Sequence, residues 1–313
     1  MIRPLLTKVI SAWDYRQSDL SEFCVPFEVD REQLAESLMF LRKKYAYRTD
    51  VNTVEIGDIV TIRCRSEKAK FNKDSITINV GKKLYSRELE AQLIGLSVGE
   101  EKDLIADGAA VSVQVLKSER TALPELTDAF VEKTFRDLHT YADLESWYIN
   151  DQLEEHIKQQ AALAANELKH QALKKSEILV DEGERVRARV SGEKIVREHW
   201  ELNGFPLDQM TDAQAQEILG YPSAQAYMDW FADLSEEEVS YAALGYELLL
   251  AEDRIPTEES YRDAIRKMME EEGVTEEQLK DYTFTVYASQ ICSEHYHNVL
   301  ETYAYQFIKE KLS

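Results

Sequence analysis

The chain has 313 residues, of which 44% are hydrophobic and 31% are charged, and its formal net charge is -22 at pH 7. This length predicts two or three domains, and the apolar content suffices for packed cores and excludes wholesale disorder. The negative charge argues against clusters of Lys and Arg that neutralise phosphates, so we expect neither nucleic acid nor an anionic membrane as a partner. No apolar run approaches the roughly 18 residues of a membrane span.

The cysteines and the N-terminus indicate the compartment. Cys24, Cys64 and Cys292 are odd in number and widely spaced, which is typical of buried thiols in a reducing environment and not of a disulfide framework. Arg3 and Lys8 interrupt the apolar N-terminus, which also lacks a small-residue cleavage site. We therefore expect a cytoplasmic protein.

Residues 1–53 are expected to form an extended N-terminal segment followed by a linker helix. Residues 1–27 contain scattered aromatic side chains and few turn signals, which favours an extended strand or a linker. Asp30 then predicts a helix start, and leucines follow it at helical spacing. The basic residues 42–44 are interpreted as the solvated C-terminus of that helix, a position that the helix macrodipole favours for positive charge.

Residues 54–120 show a different pattern, in which apolar and polar residues alternate. Strands are predicted around residues 60–64, 76–80 and 111–115. Residues 89–101 lie between the last two strands and predict one short amphipathic helix closed by glycine turns. The pattern therefore predicts a small antiparallel β module with one short helix.

Residues 121–313 are expected to form an elongated α-helical arm domain. Neither Gly nor Pro occurs between Glu125 and Glu182. A helix from about residue 143 to 175 would be roughly 50 Å long, at 1.5 Å per residue. Further helices are predicted at residues 184–203, 236–254 and 284–312. The expected fold class is thus α+β multidomain, with the β module inserted before the helical arms.

The sequence contains one cluster of metal-ligand residue types, Cys292, His295 and His297. On a helix only Cys292 and His295 share a face, and no second cluster supplies the missing zinc ligands. Residues 95–99 fit the Gly-x-Ser-x-Gly spacing of a nucleophile elbow but lack the preceding strand and the triad partners. We therefore predict no metal site and no cofactor.

Aromatic and Met side chains between residues 200 and 231 are more frequent than turn-rich segments usually carry. Exposed apolar patches mark interaction sites, although the same residues can form the core of helical arms. Both interpretations hold if some of these side chains pack into the core of a cradle and others stay exposed on its surface. The candidates for an interaction surface are Leu207, Met210, Tyr221, Met228, Trp230 and Phe231.

Several segments, in this order and spacing, resemble trigger factor, the bacterial folding chaperone. They are residues 25–42, 57–62, 89–100 and, most specifically, 123–130. The resemblance covers residues 24–313 and implies an FKBP-like isomerase domain at residues 54–120, followed by a helical C-terminal chaperone domain. It implies a molecular chaperone whose clients are unfolded or partly folded polypeptides and whose cradle is lined by the six candidates.

Two departures from the family pattern matter. The family's ribosome-docking domain bears a Gly-Phe-Arg-x-Gly-Lys loop, which this sequence lacks, so we do not expect ribosome docking. The family's isomerase pocket uses a Tyr-bearing loop before the last strand, but here the chain passes from Ile105 directly into Val111. The pocket-equivalent positions that remain are Phe71, Tyr85 and Leu89.

The loss of that loop bears on catalysis. Prolyl isomerisation must lower a barrier of about 18–20 kcal/mol, which requires an apolar pocket that holds a twisted amide. We therefore predict weak or absent isomerase activity. Two alternatives stay open: a peptidyl-prolyl cis-trans isomerase with a divergent pocket, and an assembly scaffold that holds one specific protein partner or its own copy as a homodimer.

Overall fold

A computed structural model describes residues 4–312. Its strands are β1 (Lys8–Ser11), β2 (Tyr47–Asp50), β3 (Ile59–Arg65), β4 (Lys73–Asn79), β5 (Glu101–Ala106), β6 (Ala109–Ala122) and β7 (Glu177–Leu179). Its α-helices are α1 (Arg31–Lys44), α2 (Arg87–Leu93), α3 (Asp128–Thr134), α4 (Tyr141–Lys175), α5 (Glu182–Leu202), α6 (Asp212–Gln214), α7 (Ala224–Ala251), α8 (Glu258–Glu271), α9 (Glu276–Leu279) and α10 (Phe284–Leu312).

The chain divides into two compact units, each of which contains helices and strands. One unit comprises residues 28–152, and the other joins the residues up to Phe27 with those from Leu153 onward. The expected α+β multidomain fold is confirmed. The domain boundaries at 1–53, 54–120 and 121–313 stay a prediction, and residues 1–3 and 313 of those ranges lie outside the described residues.

An antiparallel sheet forms the centre of the 28–152 unit. Its strand order is β2-β6-β3-β4, and β5 also pairs with β6. The long strand β6 therefore joins three partners, and a register shift between Thr61 and Ile62 of β3 interrupts its pairing with β6. The predicted alternation is confirmed, because Val60, Ile62 and Cys64 all point into a buried core.

Helix α2 closes this core, as the pattern predicted. Its N-cap Ser86 accepts a hydrogen bond from the Leu89 N–H, and Leu89 and Leu93 are fully buried. The turn between β5 and β6 consists of Asp107 and Gly108 alone, with φ values of 50° and 73°. A turn of this kind needs positive φ at both positions, which Asp-Gly readily supplies. The short connection between Ile105 and Val111 is therefore a tight β-hairpin.

Helix α1 begins where the sequence predicted. The Asp30 carboxylate accepts hydrogen bonds from the N–H groups of Glu32 and Gln33. Its inner face packs Leu41 against Val131 of α3 and Leu144 of α4.

Residues 4–27 form part of the body of the other unit. Strand β1 pairs antiparallel with β7, so of the strand and the linker expected for this segment the structure has a short strand at Lys8–Ser11. The Glu184 carboxylate accepts hydrogen bonds from the N–H groups of Leu6 and Thr7, both at 2.8 Å. Tyr15 and Leu20 are buried in the same core as residues of the long helices.

Helices α4, α7 and α10 build that core. Helices α4 and α10 lie within two residues of the predicted bounds, whereas α7 starts twelve residues before the predicted residue 236. The reason is local: after Pro222, Ser223 accepts a hydrogen bond from the Ala226 N–H and caps the helix. The extra turns of α7 carry the candidate residues 228–231, which the sequence placed in a turn-rich segment.

Candidate functional site

A cluster of aromatic rings lies where α5 ends and α7 begins. We call it the aromatic surface and define it by Trp200, Phe205, Tyr221, Tyr227 and Trp230. Neighbouring rings are separated by centroid distances of 5.3 to 6.4 Å. Three of these five ring pairs meet edge to face, which is an arrangement that aromatic quadrupoles favour, and the other two are tilted.

Local backbone geometry brings these rings together. Gly204 has a φ of 82°, which reverses the chain so that the Phe205 N–H donates to the Trp200 carbonyl at 2.9 Å. Gly220, with a φ of 74°, makes the second reversal and delivers Tyr221 to the start of α7. Tyr227 and Trp230 then lie three residues apart on one helix face.

A small apolar core supports the aromatic surface from below. Val196, Leu207, Ala224 and Met228 are buried there. Trp200 and Tyr227 pack against this core, and the Trp200 Nε1–H donates to the Tyr227 hydroxyl at 3.4 Å. The rings are therefore held on a packed base.

The structure brings the six candidates from the sequence together, but they differ in their exposure to solvent. Leu207 and Met228 are buried in the supporting core, and Met210 and Phe231 are partly buried against it. Tyr221 is half-buried, whereas Trp230 is 43% exposed. Trp230 and Tyr221 thus offer accessible surface, and Leu207 and Met228 act as their foundation.

Sequence reasoning missed three members of the aromatic surface. Trp200 was assigned to the interior of a helix, and Phe205, which is 47% exposed, was assigned to a helix stop. Tyr227 precedes Trp230 by three residues, so recognition of an earlier start of α7 would have found it. Leu234, one turn beyond Trp230, continues the exposed apolar face.

Acidic side chains dominate this region. From Glu198 to Asp253 the sequence has thirteen Asp and Glu residues and no Lys or Arg. Arg189 on α5 partly balances them through ion pairs to Asp233 at 3.0 Å and Glu236 at 2.9 Å. The hydrogen bonds that Arg189 donates to Glu236 and Asp233 raise the pKa of Arg189, which therefore stays charged. The segment that carries most of the aromatic surface is thus acidic, and Arg197 on α5 pairs with Asp208 within it.

The candidate isomerase positions occupy the core of the β module. Phe71 and Leu89 are fully buried, and Tyr85 is packed against them. The rings of Phe71 and Tyr85 meet edge to face at 5.6 Å, and the Tyr85 hydroxyl donates to the Lys70 carbonyl at 2.5 Å. Phe71 and Leu89 therefore offer no exposed surface to a ligand.

A buried carboxylate beside these positions was not foreseen. Glu90 accepts hydrogen bonds from the N–H groups of Gly81, Lys83 and Tyr85 at 3.0, 2.7 and 3.1 Å. These bonds fix the loop before α2, on which Leu84 is 85% exposed. The carboxylate has a structural role in shaping that loop.

The Cys292, His295 and His297 side chains have different surroundings. Cys292 is fully buried, the His295 Nε2 lies 3.2 Å from Glu252, and the His297 Nε2 lies 3.6 Å from Glu238. Over residues 4–312, no three His, Cys, Asp or Glu side chains are grouped as metal ligands. Within the same range, no helix combines the length and the apolar character needed to cross a lipid bilayer.

Part of the chain is similar in sequence to a known protein. No protein-family model matches the chain. The chain is 30% identical over 125 residues to trigger factor from Desulforudis audaxviator (strain MP104C). That match covers 34% of this chain and spans 28% of the length of the relative. The likeness supports a relationship to the trigger factor family over this part of the chain.

A solved structure is also similar. It comes from work on promiscuous substrate recognition in the folding and assembly activities of the trigger factor chaperone. It aligns with 98% of this chain and 73% of its own chain, at 13% sequence identity and a TM-score of 0.37. A superposition this loose supports no inference about function.

Proposed function

We propose that the chain is a trigger-factor-like molecular chaperone that binds unfolded or partly folded polypeptides on the aromatic surface. The observation that carries the proposal is the aromatic surface itself, in which Phe205 and Trp230 are 47% and 43% exposed on a packed base. Unfolded chains present apolar side chains without a fixed shape. Rigid aromatic rings bind such segments through contact area and lose little conformational entropy in doing so. The similarity to trigger factor supports the same function.

The acidic character of residues 198–253 favours a particular kind of client segment. Lys and Arg side chains on a client would meet the carboxylates around the aromatic surface and could stack on Trp230 by cation–π interaction. The net charge of -22 would also keep client complexes soluble through mutual repulsion. We therefore propose that apolar segments with basic residues bind best, and that added salt weakens their binding.

Suppression of aggregation tests this function. The chain is mixed with a chemically denatured model protein on dilution, and light scattering is followed. We expect the chain to suppress aggregation in proportion to its concentration. The double variant Phe205→Ser and Trp230→Ser should lose most of this activity, because it removes the exposed rings and leaves the buried core intact. The matched control is Val190→Ser, which alters an exposed apolar residue elsewhere on α5.

Two results would count against the chaperone function. Unchanged scattering at stoichiometric amounts of the chain would remove most of its support. Equal suppression by the double variant and by the wild-type chain would show that the aromatic surface is not the client site.

We further propose that client binding does not need ribosome docking, because all the side chains of the aromatic surface lie within this chain. Co-sedimentation with ribosomes at physiological salt checks this, and we expect the chain to remain in the supernatant. We also propose the cytoplasm as its location. The three cysteines are free thiols, which suits a reducing compartment.

The isomerase alternative has weaker support. Phe71 and Leu89 have no exposed surface for a prolyl ring, so we propose that isomerase activity is weak or absent. Peptide isomerisation kinetics test it, and family-level rates that are lost in Tyr85→Ala would favour the enzyme. The scaffold alternative predicts one stoichiometric partner in a pull-down, whereas the chaperone predicts a broad mixture of clients.

A further inference from the structure

The turn that follows α5 contains an asparagine directly before a glycine. Of the seven asparagines in the chain, Asn203 alone has a glycine, Gly204, as its next residue. Both residues are exposed, and a methyl group added to Gly204 would meet no atom within 4 Å. No side chain therefore crowds the peptide bond between Asn203 and Gly204.

An asparagine followed by glycine can lose its side-chain amide without an enzyme. The peptide nitrogen of the glycine gives up its proton and attacks the asparagine Cγ, and the amide nitrogen leaves as ammonia. Water then opens the five-membered succinimide ring at either carbonyl, which yields aspartate or isoaspartate. The attack is intramolecular, and glycine favours it because it has no Cβ and adopts many backbone angles.

The other asparagines of the chain lack this combination. Asn150 and Asn166 lie within α4 and Asn298 lies within α10, where the helix holds the next peptide nitrogen in a hydrogen bond. The remaining three each precede a residue with a side chain: Asn52 precedes Thr53, Asn72 precedes Lys73 and Asn79 precedes Val80. Deamidation is therefore expected first at Asn203.

Hydrogen bonds restrain Asn203, but they lie at the end of a helix. The Gly204 N–H donates to the backbone carbonyl of Glu201 at 3.0 Å, and the Asn203 Nδ2–H donates to that of His199 at 2.8 Å. Both reacting groups are thus held while the turn is closed. The end of a helix opens at a lower free energy than its interior, so the reaction proceeds from the open turn.

Either product disturbs the turn that places Phe205. An aspartate at position 203 cannot donate to the His199 carbonyl, and its charge lies at the C-terminus of α5, where the helix macrodipole disfavours negative charge. Isoaspartate also adds one carbon atom to the backbone. The bond from the Phe205 N–H to the Trp200 carbonyl, at 2.9 Å, closes the turn across this lengthened segment and is lost.

We propose that Asn203 is a site of spontaneous deamidation, and that its conversion releases Phe205 from Trp200 and weakens client binding on the aromatic surface. The first part stands on the turn alone, and the second part rests on the proposed function. Because the reaction releases ammonia, it does not run backwards, and the modified fraction grows with the age of the protein.

Mass spectrometry of proteolytic peptides tests the site. The full chain is aged at physiological temperature, and isoaspartate is distinguished from aspartate by enzymatic methylation. We expect Asn203 to convert at least ~10-fold faster than Asn150 or Asn298, because the turn opens more often than a helix interior. The rate should rise with pH, since the attacking nitrogen must lose its proton.

Two variants control the chemistry. Asn203→Gln should prevent the conversion, because a glutamine would have to close a less favourable six-membered ring. Asn298→Gln alters an exposed asparagine on α10 and should leave the rate at Asn203 unchanged.

Fluorescence anisotropy with a labelled unfolded polypeptide measures the consequence for binding. The aged wild-type chain should lose client affinity in step with its modified fraction, whereas Asn203→Gln aged in parallel should keep its own starting affinity. Asn203→Asp carries the new charge on a backbone of normal length. Its affinity should therefore lie between those of the fresh chain and the isoaspartyl form.

The outcomes separate the two parts of the proposal. Conversion of Asn203 no faster than that of Asn298 would overturn the site. Complete conversion with unchanged client affinity would overturn the effect on the aromatic surface. If the fresh chain binds no client, the proposed function fails and the second part fails with it, while the mass spectra still decide the first part.

Discussion

At the scale of single residues, burial changes the pKa of His297. Its Nε2 lies 3.6 Å from Glu238, the Lys169 ammonium lies near the same carboxylate, and Tyr241 packs on the imidazole ring. Burial, the largest cause, and the positive charge of Lys169 lower the pKa of His297 from its ordinary value of 6.5. Glu238 and Glu294 oppose this shift but do not outweigh it.

A pH dependence of stability follows from this shift. The unfolded chain binds a proton at His297 near pH 6.5, whereas the folded chain binds it only at lower pH. The contribution of neutral His297 to the free energy of unfolding is therefore fully present above about pH 6.5. It is lost as the pH falls toward the pKa of His297 in the folded chain. We predict that the urea midpoint falls between pH 7 and about pH 5.5, and that His297→Gln reduces this fall.

A matched control separates His297 from other titrating groups. His199→Gln alters an exposed histidine on α5 and should leave the pH dependence of the wild-type chain unchanged. A His297→Gln variant with the full wild-type dependence would contradict the assignment.

Buried charges are the part of this structure that sequence reasoning could not supply. Asp58 is fully buried and accepts hydrogen bonds from Arg120 Nε at 2.8 Å and Nη2 at 2.9 Å. These bonds hold the pKa of Asp58 below its usual range. Glu90 is equally buried, yet in sequence both residues look like ordinary surface carboxylates. Their partners are distant in sequence or are backbone N–H groups, which no local pattern reveals.

At the scale of elements, α7 and α10 pack closely against each other at Gly245. A methyl group on Gly245 would lie 1.8 Å from the carbonyl oxygen of Cys292. The two helices can therefore pack this closely only because Gly245 has no side chain. Tyr241 and Tyr296 stack nearby at 6.2 Å and extend the same contact.

We predict that Gly245→Ala destabilises this unit by about 1–3 kcal/mol, because the helices must separate to admit the methyl group. Urea unfolding followed by circular dichroism measures the change. Gly183→Ala is the matched control. There the new methyl group meets only the side chains of Asp181 and Arg187, and we expect little change. If Gly245→Ala were as stable as the wild-type chain, the close packing of α7 on α10 at Gly245 would be refuted.

Elements with long periodic patterns were predictable, and short ones were not. The limits of α10 were predicted correctly because nothing in residues 284–312 interrupts the helical pattern. Strands β2 and β5 were missed, since each is short and its pairing with β6 is set by tertiary contacts. The position of residues 4–27 in the helical core was also missed, because the Glu184 contacts span more than 170 residues.

At the scale of the whole molecule, the negative charge is unevenly distributed. Residues 28–122 contain sixteen acidic and sixteen basic residues, so the net charge of -22 lies in the rest of the chain. The aromatic surface belongs to the acidic part.

The central claim is that the aromatic surface binds unfolded polypeptide. The most direct test is a fluorescence anisotropy titration of a permanently unfolded, labelled polypeptide with the chain. We predict saturable binding that weakens at least ~10-fold in the Phe205→Ser and Trp230→Ser double variant and is unchanged in Val190→Ser, because a few exposed aromatic residues dominate such contacts. No binding by the wild-type chain, or equal binding by all three proteins, would contradict the claim.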